Sequence, residues 1–361
     1  MAILGVTPLE DVSHCTTPHS RADLAGPMAN YGFCTIVTHS HLKYAAALAA
    51  SLGRYHPTPK LCVLLIDPAD GHELRSSPSI DLFHLDEIQV PNIEDMKIYF
   101  NAFELSNCLK PFFIFHLLRN GFKKIVYLDA DILVVNDFSD LFEMLDRYAF
   151  VLSPHWLQPQ LAQRSDVSVR QMADLGIYNG GMWGVQHELG GTAMLEWLMR
   201  VLPEVGFDDP HNGMYVDQKI LPLAAQLFSS QVGCIRHPGY NVAYWNLHER
   251  EITRVDNRYL INGQPAVFFH LSGFRAEDPN TFSRYGSWNF ERLPILKEIV
   301  AEYLSYIPSA LMAKRSRYSY DYLDSYRLSS ELRRYYFVHR TVAGYQTTRF
   351  KGRVRRWLRL Y

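Results

Sequence analysis

The chain has 361 residues, enough for one large domain or two ordinary ones. With 48% hydrophobic and 20% charged residues it can bury a sizeable core, which excludes a chain that is disordered throughout. The formal net charge is −1, but residues 314–361 carry thirteen Lys and Arg against three Asp and Glu. We therefore expect an acidic body with a basic tail.

The cysteines and the apolar runs limit the compartment and the class of protein. Five cysteines are widely spaced without a CxxC pair, which supports neither a disulfide framework nor a zinc site. The N-terminal residues lack a basic start and a long apolar core, so we predict no signal peptide. No apolar run approaches the roughly 20 residues of a spanning helix. We expect a cytoplasmic protein, soluble or peripheral at the inner face of the cell membrane.

Strand and helix patterns alternate along the first half of the chain. Residues 1–30, rich in Pro, Ser, Thr and His, predict a loose leader, and residues 31–308 predict the main folded domain. Apolar runs predict strands at 33–38, 61–66, 82–90 and 124–128, and helical patterns predict helices at 41–52 and 103–118. Apolar strands that alternate with helices indicate an α/β fold whose mostly parallel sheet is covered on both faces.

The second half continues this pattern. We predict a strand at 177–185 that a tight Gly-Gly turn breaks, a helix at 190–203 and a buried strand at 266–270. Residues 217–221 should open a helix or lie in one. The last segment, 309–361, is predicted to be a basic amphipathic tail.

Two carboxylates follow the apolar run at 125–128. Asp129 and Asp131 are one residue apart, and apolar residues resume directly after them. Side chains at i and i+2 of an extended chain point to the same face, and two anions held that close repel each other unless a cation lies between them. A polar turn after a buried strand is the alternative, but such a turn needs only one Asp. The pair therefore predicts a metal-carboxylate site.

A histidine occupies a similar position at the end of a later strand. His270 ends the apolar run that begins at Ala266. A lone His beside a core is more often a hydrogen-bonded structural residue than a ligand. If it does join the two carboxylates, the mixed oxygen and nitrogen site suits Mn²⁺ or Mg²⁺, and the imidazole favours Mn²⁺.

Phosphate-binding glycine loops are absent from the sequence. No GxGxxG follows the first predicted strand, and no GxxxxGK[ST] occurs anywhere. A nucleotide bound here would therefore rely on the metal to hold its phosphates.

Four motifs in order resemble the retaining family 8 glycosyltransferases, which have the A-type (GT-A) fold and use nucleotide sugars. They are Tyr127-Leu-Asp-Ala-Asp131, Tyr178-Asn-Gly-Gly181, Asp217-Gln-Lys-Ile-Leu221 and His270-Leu-Ser-Gly273. Each motif alone is weak, and the resemblance spans about residues 33–275. The chain departs from the family in its late segment, where the cation arrives one residue early as Arg275 and no Pro-Trp follows. It also has Thr38 and His39 where the family carries an acidic pair.

The resemblance implies a role for each motif residue. Asp129, Asp131 and His270 would ligate the metal, with Asp129 also near the ribose. Asn179, Gly180 and Gly181 would line the donor-sugar pocket, and Asp217 and Gln218 would act at the anomeric carbon and the acceptor. Thr38 would reach the base, while Lys110, Gly273 and Arg275 would contact the diphosphate or donor sugar. A solvated helix lysine is the alternative for Lys110.

The expected reaction is a metal-dependent transfer of a sugar from a nucleotide diphosphate sugar, UDP-sugar in the first place, to a glycan or lipid-linked acceptor. Metal and cations would stabilise the leaving diphosphate. One alternative is a protein that binds sugar nucleotides without turnover. The other is a phosphatase of the haloacid-dehalogenase type, but that family has Thr or Val at the position of Leu133.

The end of the chain has the pattern of an interfacial helix. Aromatic and aliphatic residues at helical spacing are surrounded by arginines; they are Phe350, Val354, Trp357, Leu358 and Tyr361. This pattern favours an anionic membrane surface as the partner over packing on the acidic body. Nucleic acid is the least favoured partner, because no base-reading motif accompanies the stretch.

Overall fold

A computed structural model describes residues 30–67, 77–159, 167–312 and Phe337. Within them, the strands are β1 Tyr31–Val37, β2 Leu61–Leu65, β3 Ile80–His84, β4 Lys124–Leu128, β5 Ile132–Val134, β6 Phe150–Pro154, β7 Tyr178–Gln186, β8 Asp208–Asp209, β9 Met214–Tyr215, β10 Val232–Cys234, β11 Ile252–Val255, β12 Arg258–Ile261, β13 Gln264–Pro265 and β14 Phe268–His270. The helices are α1 Leu42–Leu52, α2 Ile93–Tyr99, α3 Ala102–Arg119, α4 Ser139–Leu145, α5 Val169–Leu175, α6 Gly191–Val205, α7 Leu221–Leu227, α8 Ile295–Ser305 and α9 Ser309–Met312.

The central sheet has seven strands in the order β10-β6-β7-β4-β1-β2-β3. The pairs β1–β2, β2–β3, β1–β4 and β6–β10 are parallel, and β7 runs antiparallel to both of its neighbours. The predicted α/β architecture with a mostly parallel sheet is thus confirmed, with one reversed strand inserted at its centre.

Both faces of this sheet are buried. Alternate residues of a strand enter opposite cores: Phe33 and Val126 lie in one, Cys34 and Tyr127 in the other. Helices α1 and α8 contribute to the first core, and α3 and α6 to the second. Burial on both sides explains why these strands read as continuous apolar runs rather than as alternating patterns.

The predicted Gly-Gly turn in β7 is wrong, because the strand runs unbroken from Tyr178 to Gln186. Its glycines lie instead in a β-bulge. β6 pairs with β7 at Leu152↔Trp183 and next at Ser153↔Asn179, so residues 180–182 lie opposite no residue of β6. The sequence pattern identified the irregularity but not its form.

A two-stranded sheet brings the late histidine to the aspartate pair. β5, which follows Asp131 directly, pairs antiparallel with β14 so that Ile132 lies opposite His270. The backbone N–H of Leu271 donates to the carbonyl of Asp131 at 2.9 Å, which extends the pairing by one residue. The segments 129–131 and 270–271 are therefore held side by side by main-chain hydrogen bonds.

The predicted leader (1–30) lies outside the described residues, except for Asn30. Most of the predicted tail (309–361), including its basic aromatic stretch, also lies outside them. The first tail residues form α9, where Leu311 packs against the core. Phe337 packs edge-on against Tyr99 and Phe207, with ring centroids 5.3 and 4.8 Å away. None of the helices in the described part of the chain is long and apolar enough to cross a membrane.

Candidate metal and donor-sugar site

Asp129 and Asp131 lie where β4 ends, at the edge of the central sheet. Both side chains remain about one third exposed, at 33% and 32%. The Tyr127 hydroxyl donates to Asp129 Oδ1 at 2.8 Å, and the Asp129 N–H donates to the carbonyl of Gly181 at 2.9 Å. The first carboxylate is therefore fixed from two sides while still open to solvent.

His270 completes a cluster with these carboxylates. Its Nε2 lies 3.1 Å from Asp131 Oδ1 and 3.8 Å from Asp129 Oδ2. One ligand atom from each residue lies within 4.8 Å of the others, a spacing that a divalent cation can bridge. Two carboxylates and one imidazole form the donor set expected for Mn²⁺ or Mg²⁺, so these residues fit the metal that the sequence predicted.

The imidazole of His270 is oriented by a neighbour that the sequence did not reveal. Asn241 is fully buried, has a left-handed backbone (φ 55°), and places Oδ1 3.1 Å from His270 Nδ1. Because an amide oxygen only accepts, Nδ1 carries the proton and Nε2 faces the carboxylates. The absence of a side chain at Gly181 makes room for this ring, since a Cβ there would lie 2.9 Å from His270 Nδ1.

Charge attraction dominates the protonation of this cluster. Burial alone would lower the pKa of His270, but the neighbouring Asp131 and Asp129 raise it above the ordinary value. Burial works against the Asp131 carboxylate too, and His270 nevertheless holds its pKa below the ordinary value. The cluster therefore stabilises a positive charge at the point between the carboxylates where a metal would lie.

Lys110 points into the site from α3 and is only 1% exposed, so the alternative of a solvated helix lysine is wrong. Its Nζ donates to Asp217 Oδ2 at 2.9 Å and to the carbonyl of Gly180 at 2.8 Å, and lies 3.7 Å from Asp129 Oδ1. Burial disfavours the ammonium, but the two carboxylates outweigh it and raise the pKa of Lys110. This cation links the metal-site carboxylate to Asp217.

Asp217 lies just before α7, with its side chain completely buried behind the backbone of Gly180. A Cβ at residue 180 would lie 2.7 Å from Asp217 Oδ2, so only glycine fits there. Burial raises the pKa of Asp217 although Lys110 opposes the shift. Its Oδ1 has no hydrogen-bond partner among the described residues, which leaves one carboxylate oxygen for another donor.

Side-chain amides from β7 and the 217–221 segment form a second part of the site. Gln218 Oε1 accepts from Asn179 Nδ2 at 3.0 Å and from the N–H of Gly180 at 2.9 Å. Asn179 Oδ1 accepts from the N–H of Gly181 at 2.9 Å, and its Nδ2 lies 3.3 Å from His155 Nε2. Burial lowers the pKa of His155 to about 4, so this imidazole is neutral and can accept.

The remaining predicted residues lie around this centre. Thr38 follows β1, and its hydroxyl is 2.9 Å from both Ser40 Oγ and His41 Nδ1 rather than in the cluster. The Tyr285 ring lies against Gly273, whose φ is +80°. A Cβ at residue 273 would lie only 2.6 Å from Tyr285 Cδ2. Arg275 is exposed two residues beyond. The structure thus joins nine predicted residues in one network and places these three at its margin.

Sequence reasoning missed four residues that support the site. Tyr127 stood inside a quoted motif, so its position was available, but its hydrogen bond was not. His155, Asn241 and Trp245 carry no pattern of their own, and they reach the site only because separate loops converge there. Trp245 packs edge-on against both His155 and His270, with ring centroids 5.4 and 5.2 Å away.

Comparison with known proteins agrees with the motifs. Residues 36–185 match the family model described as Glycosyl transferase family 8. This stretch contains the aspartate pair and all of β7 except its last residue, but not Asp217, Gln218 or His270. The match confirms the predicted resemblance to family 8, and the enzyme class that it supports is a glycosyltransferase.

Two Bacillus subtilis (strain 168) proteins are similar along most of the chain. YfnF is 26% identical over 283 residues, which are 76% of this chain and 92% of that protein. YfnD is 23% identical over 283 residues, 77% of this chain and 88% of that protein. Both carry the description uncharacterized protein.

Solved structures give weaker likenesses. The galactosyltransferase LgtC, with donor and acceptor sugar analogs, is 15% identical with a TM-score of 0.42, covering 78% of this chain and 99% of that one. The glycosyltransferase GlyE of Streptococcus pneumoniae TIGR4 is 17% identical with a TM-score of 0.45, covering 76% and 60%. In a second GlyE structure the match spans 46% of that chain, so this chain covers less than two thirds of GlyE.

Proposed function

We propose that this protein transfers a sugar from a nucleoside diphosphate sugar to an acceptor hydroxyl, with a divalent cation, Mn²⁺ in the first place, held by Asp129, Asp131 and His270. The observation that carries the proposal is the convergence of these three ligand atoms within 4.8 Å at the sheet edge. Ligands of open α/β sheets bind outside the carboxyl ends of the strands, which is where this cluster lies.

The bound cation would neutralise charge on the diphosphate as it leaves, which is Lewis-acid chemistry. The Asn241 amide oxygen orients the imidazole of His270, and the lack of a side chain at Gly181 leaves room for the ring. This is the orientation that ligation needs. Lys110 brings a second, permanent positive charge to the same region, 3.7 Å from Asp129. The chain thus supplies both a cation site and a fixed cation for an anionic leaving group.

Donor-sugar recognition is assigned to the buried amides. Asn179 and Gln218 hold each other and the backbone of Gly180 and Gly181 in one orientation, so their remaining polar groups are preorganised for sugar hydroxyls. Asp217, one of whose oxygens has no partner among the described residues, and Gln218 are the residues we place nearest the anomeric carbon. Retention of configuration, uridine as the base, a glycan or lipid-linked acceptor and a cytoplasmic location at the membrane surface are parts of the same proposal, supported by the motifs and the basic tail.

The experiment has a binding readout and an activity readout. Free Mn²⁺ is followed by electron paramagnetic resonance as protein is added, and sugar release is then measured from a panel of UDP- and GDP-sugars. The wild-type chain should take up Mn²⁺ and release sugar from at least one donor. Asp131→Asn should bind Mn²⁺ at least about tenfold more weakly, because one of the two carboxylate charges that hold the cation is lost.

Asp174→Asn is the matched control, because the Asp174 side chain on α5 is 47% exposed and its ion pair with Arg170 is long, at 3.8 Å. It should bind Mn²⁺ as the wild type does. Equal Mn²⁺ affinity in Asp131→Asn and Asp174→Asn would rule out the metal site. Mn²⁺ uptake without turnover of any donor would favour a binding protein over an enzyme.

A further inference from the structure

A wall of aromatic side chains borders the site on one side and is not used in the proposed chemistry. It consists of Phe103, Tyr215, Tyr244 and Tyr285, which come from four separate segments. Neighbouring members contact one another: Phe103 and Tyr215 have ring centroids 6.3 Å apart, and Tyr244 and Tyr285 are 5.9 Å apart. We call these four residues the aromatic wall.

One end of the wall is tied to the metal-site histidine. The Tyr285 ring lies directly on the backbone of Gly273, three residues after His270, in space that any other residue at 273 would fill. Tyr244 packs on Trp245 with centroids 5.1 Å apart, and Trp245 packs edge-on against His270. The two tyrosines are therefore held at a fixed distance from the cluster.

The other end of the wall reaches the buried carboxylate. Tyr215 lies two residues before Asp217, and the Phe103 ring packs against it. This pair is therefore on the Asp217 side of the site, and the Tyr244–Tyr285 pair is on the His270 side.

The wall is open to solvent where a ligand would meet it. Tyr285 is 59% exposed and Phe103 is 47% exposed, although both rings are packed on one side. Large aromatic faces left in water beside a polar cleft mark binding surfaces, and tyrosines combine an apolar face with a hydroxyl. A pyranose ring matches that combination, because it presents C–H groups on its faces and hydroxyls around its edge.

We propose that the aromatic wall is the acceptor subsite and that the acceptor presents a pyranose ring, which stacks on Tyr285 and Tyr244 with a hydroxyl directed toward the cluster of Asp129, Asp131 and His270. This inference rests on the proposed transferase function and narrows the acceptor to a glycan or glycoside. A bare lipid alcohol or a serine or tyrosine hydroxyl of a protein would leave most of the wall uncovered.

Binding is tested without catalysis by saturation-transfer difference NMR. The probes are methyl β-glucoside, methyl β-galactoside and methyl α-mannoside, each with the chain, Mg²⁺ and a nucleoside diphosphate, while aromatic protons are saturated. At least one glycoside should receive saturation at its ring protons. Tyr285→Ala should abolish the signal and Tyr285→Phe should keep most of it, because Phe retains the stacking face.

Catalysis gives a second readout that separates this inference from the proposed function. With an active donor, the glycoside and water compete for the sugar, and the ratio of transfer to hydrolysis reports acceptor binding. We expect that ratio to fall about tenfold in Tyr285→Ala, the effect of losing about one aromatic contact. Leu227→Ala, which removes an exposed apolar side chain on α7, should keep the wild-type ratio.

Each result decides one of the two proposals. No saturation of any glycoside, an unchanged ratio in Tyr285→Ala, or preferred transfer to an alkanol or a peptide would overturn the aromatic acceptor subsite. Absence of both transfer and hydrolysis, with glycoside saturation that depends on Tyr285, would instead overturn the transferase and leave a glycan-binding surface.

Discussion

The buried cation Lys110 offers the sharpest test of the site's electrostatics. Substitution by Met keeps most of the length of the side chain and removes the charge. Two acceptors lose their donor at once, Asp217 Oδ2 at 2.9 Å and the carbonyl of Gly180 at 2.8 Å. The ammonium also leaves the rings of Tyr127 and Trp183, which lie 4.9 and 5.7 Å from Nζ.

The expected loss of unfolding free energy in Lys110→Met follows from the burial of both partners. The side chain of Asp217 is completely buried and that of Lys110 is 1% exposed, so solvent cannot replace the lost partner. Breaking a buried pair by removing one member destabilises a protein by about 3–5 kcal/mol, because an uncompensated charge stays inside. We therefore expect Lys110→Met to lower the free energy of unfolding by about 3–5 kcal/mol, and Lys110→Met with Asp217→Asn to recover part of that loss.

The loss should depend on pH in a defined direction. Burial already raises the pKa of Asp217, and removal of Lys110 raises it further. A carboxyl whose pKa is higher in the folded than in the unfolded state takes up its proton first in the folded state as pH falls. The deficit of Lys110→Met relative to the wild type should therefore shrink between about pH 8 and about pH 5.

Urea unfolding of the wild type, both single variants and the double variant provides the measurement. The reasoning would be refuted if Lys110→Met lost less than about 1 kcal/mol, the scale of an exposed ion pair. It would also fail if the double variant were no more stable than Lys110→Met, or if the deficit grew as pH fell.

Three further outcomes are expected. His155 has a pKa of about 4 in the folded chain and stays neutral at pH 5, whereas in the unfolded chain it takes up a proton below about pH 6.5. Between pH 7.5 and 5, the free energy of unfolding should therefore fall by about 2 kcal/mol more in the wild type than in His155→Gln, as measured by urea titration. Gly181→Ala should weaken Mn²⁺ binding and cost about 1–3 kcal/mol, since its Cβ would lie 2.8 Å from Asn179 Oδ1; unchanged Mn²⁺ resonance spectra would contradict this. Asn241→Ala should lower Mn²⁺ affinity about 10–100-fold by freeing the His270 ring, and calorimetry that finds wild-type affinity would exclude that role.

The clustering of Asp129, Asp131 and His270 was predictable in part, because its signals are local. The apolar run 124–128 coincides with β4, and the two aspartates follow it directly. His270 was placed at a strand end by the same pattern, although its choice as a ligand depended on the family resemblance. The structure adds the pairing of β5 with β14, which no local pattern contains.

Other features depend on contacts between distant segments. Helix α3 is buried on most of its circumference, so its composition did not show which way Lys110 points. The glycines of β7 read as a turn because the bulge depends on pairing with β6, some 25 residues earlier. Gly273 was assigned to a close approach of an anionic ligand, whereas the structure has the Tyr285 ring against it.

The bulge in β7 has a consequence for how this site can change. On one edge β7 is fixed to β4 by Leu128↔Met182, and on the other to β6 by Ser153↔Asn179. Gly180 and Gly181 lie between these two anchors and connect Asp129 to the amides of Asn179 and Gln218. A one-residue insertion or deletion there would reverse the facing of every following side chain or break one pairing. We therefore expect the contacts around the bulge to tolerate substitution, at His155 or Gln218, but not a change in the length of the bulge.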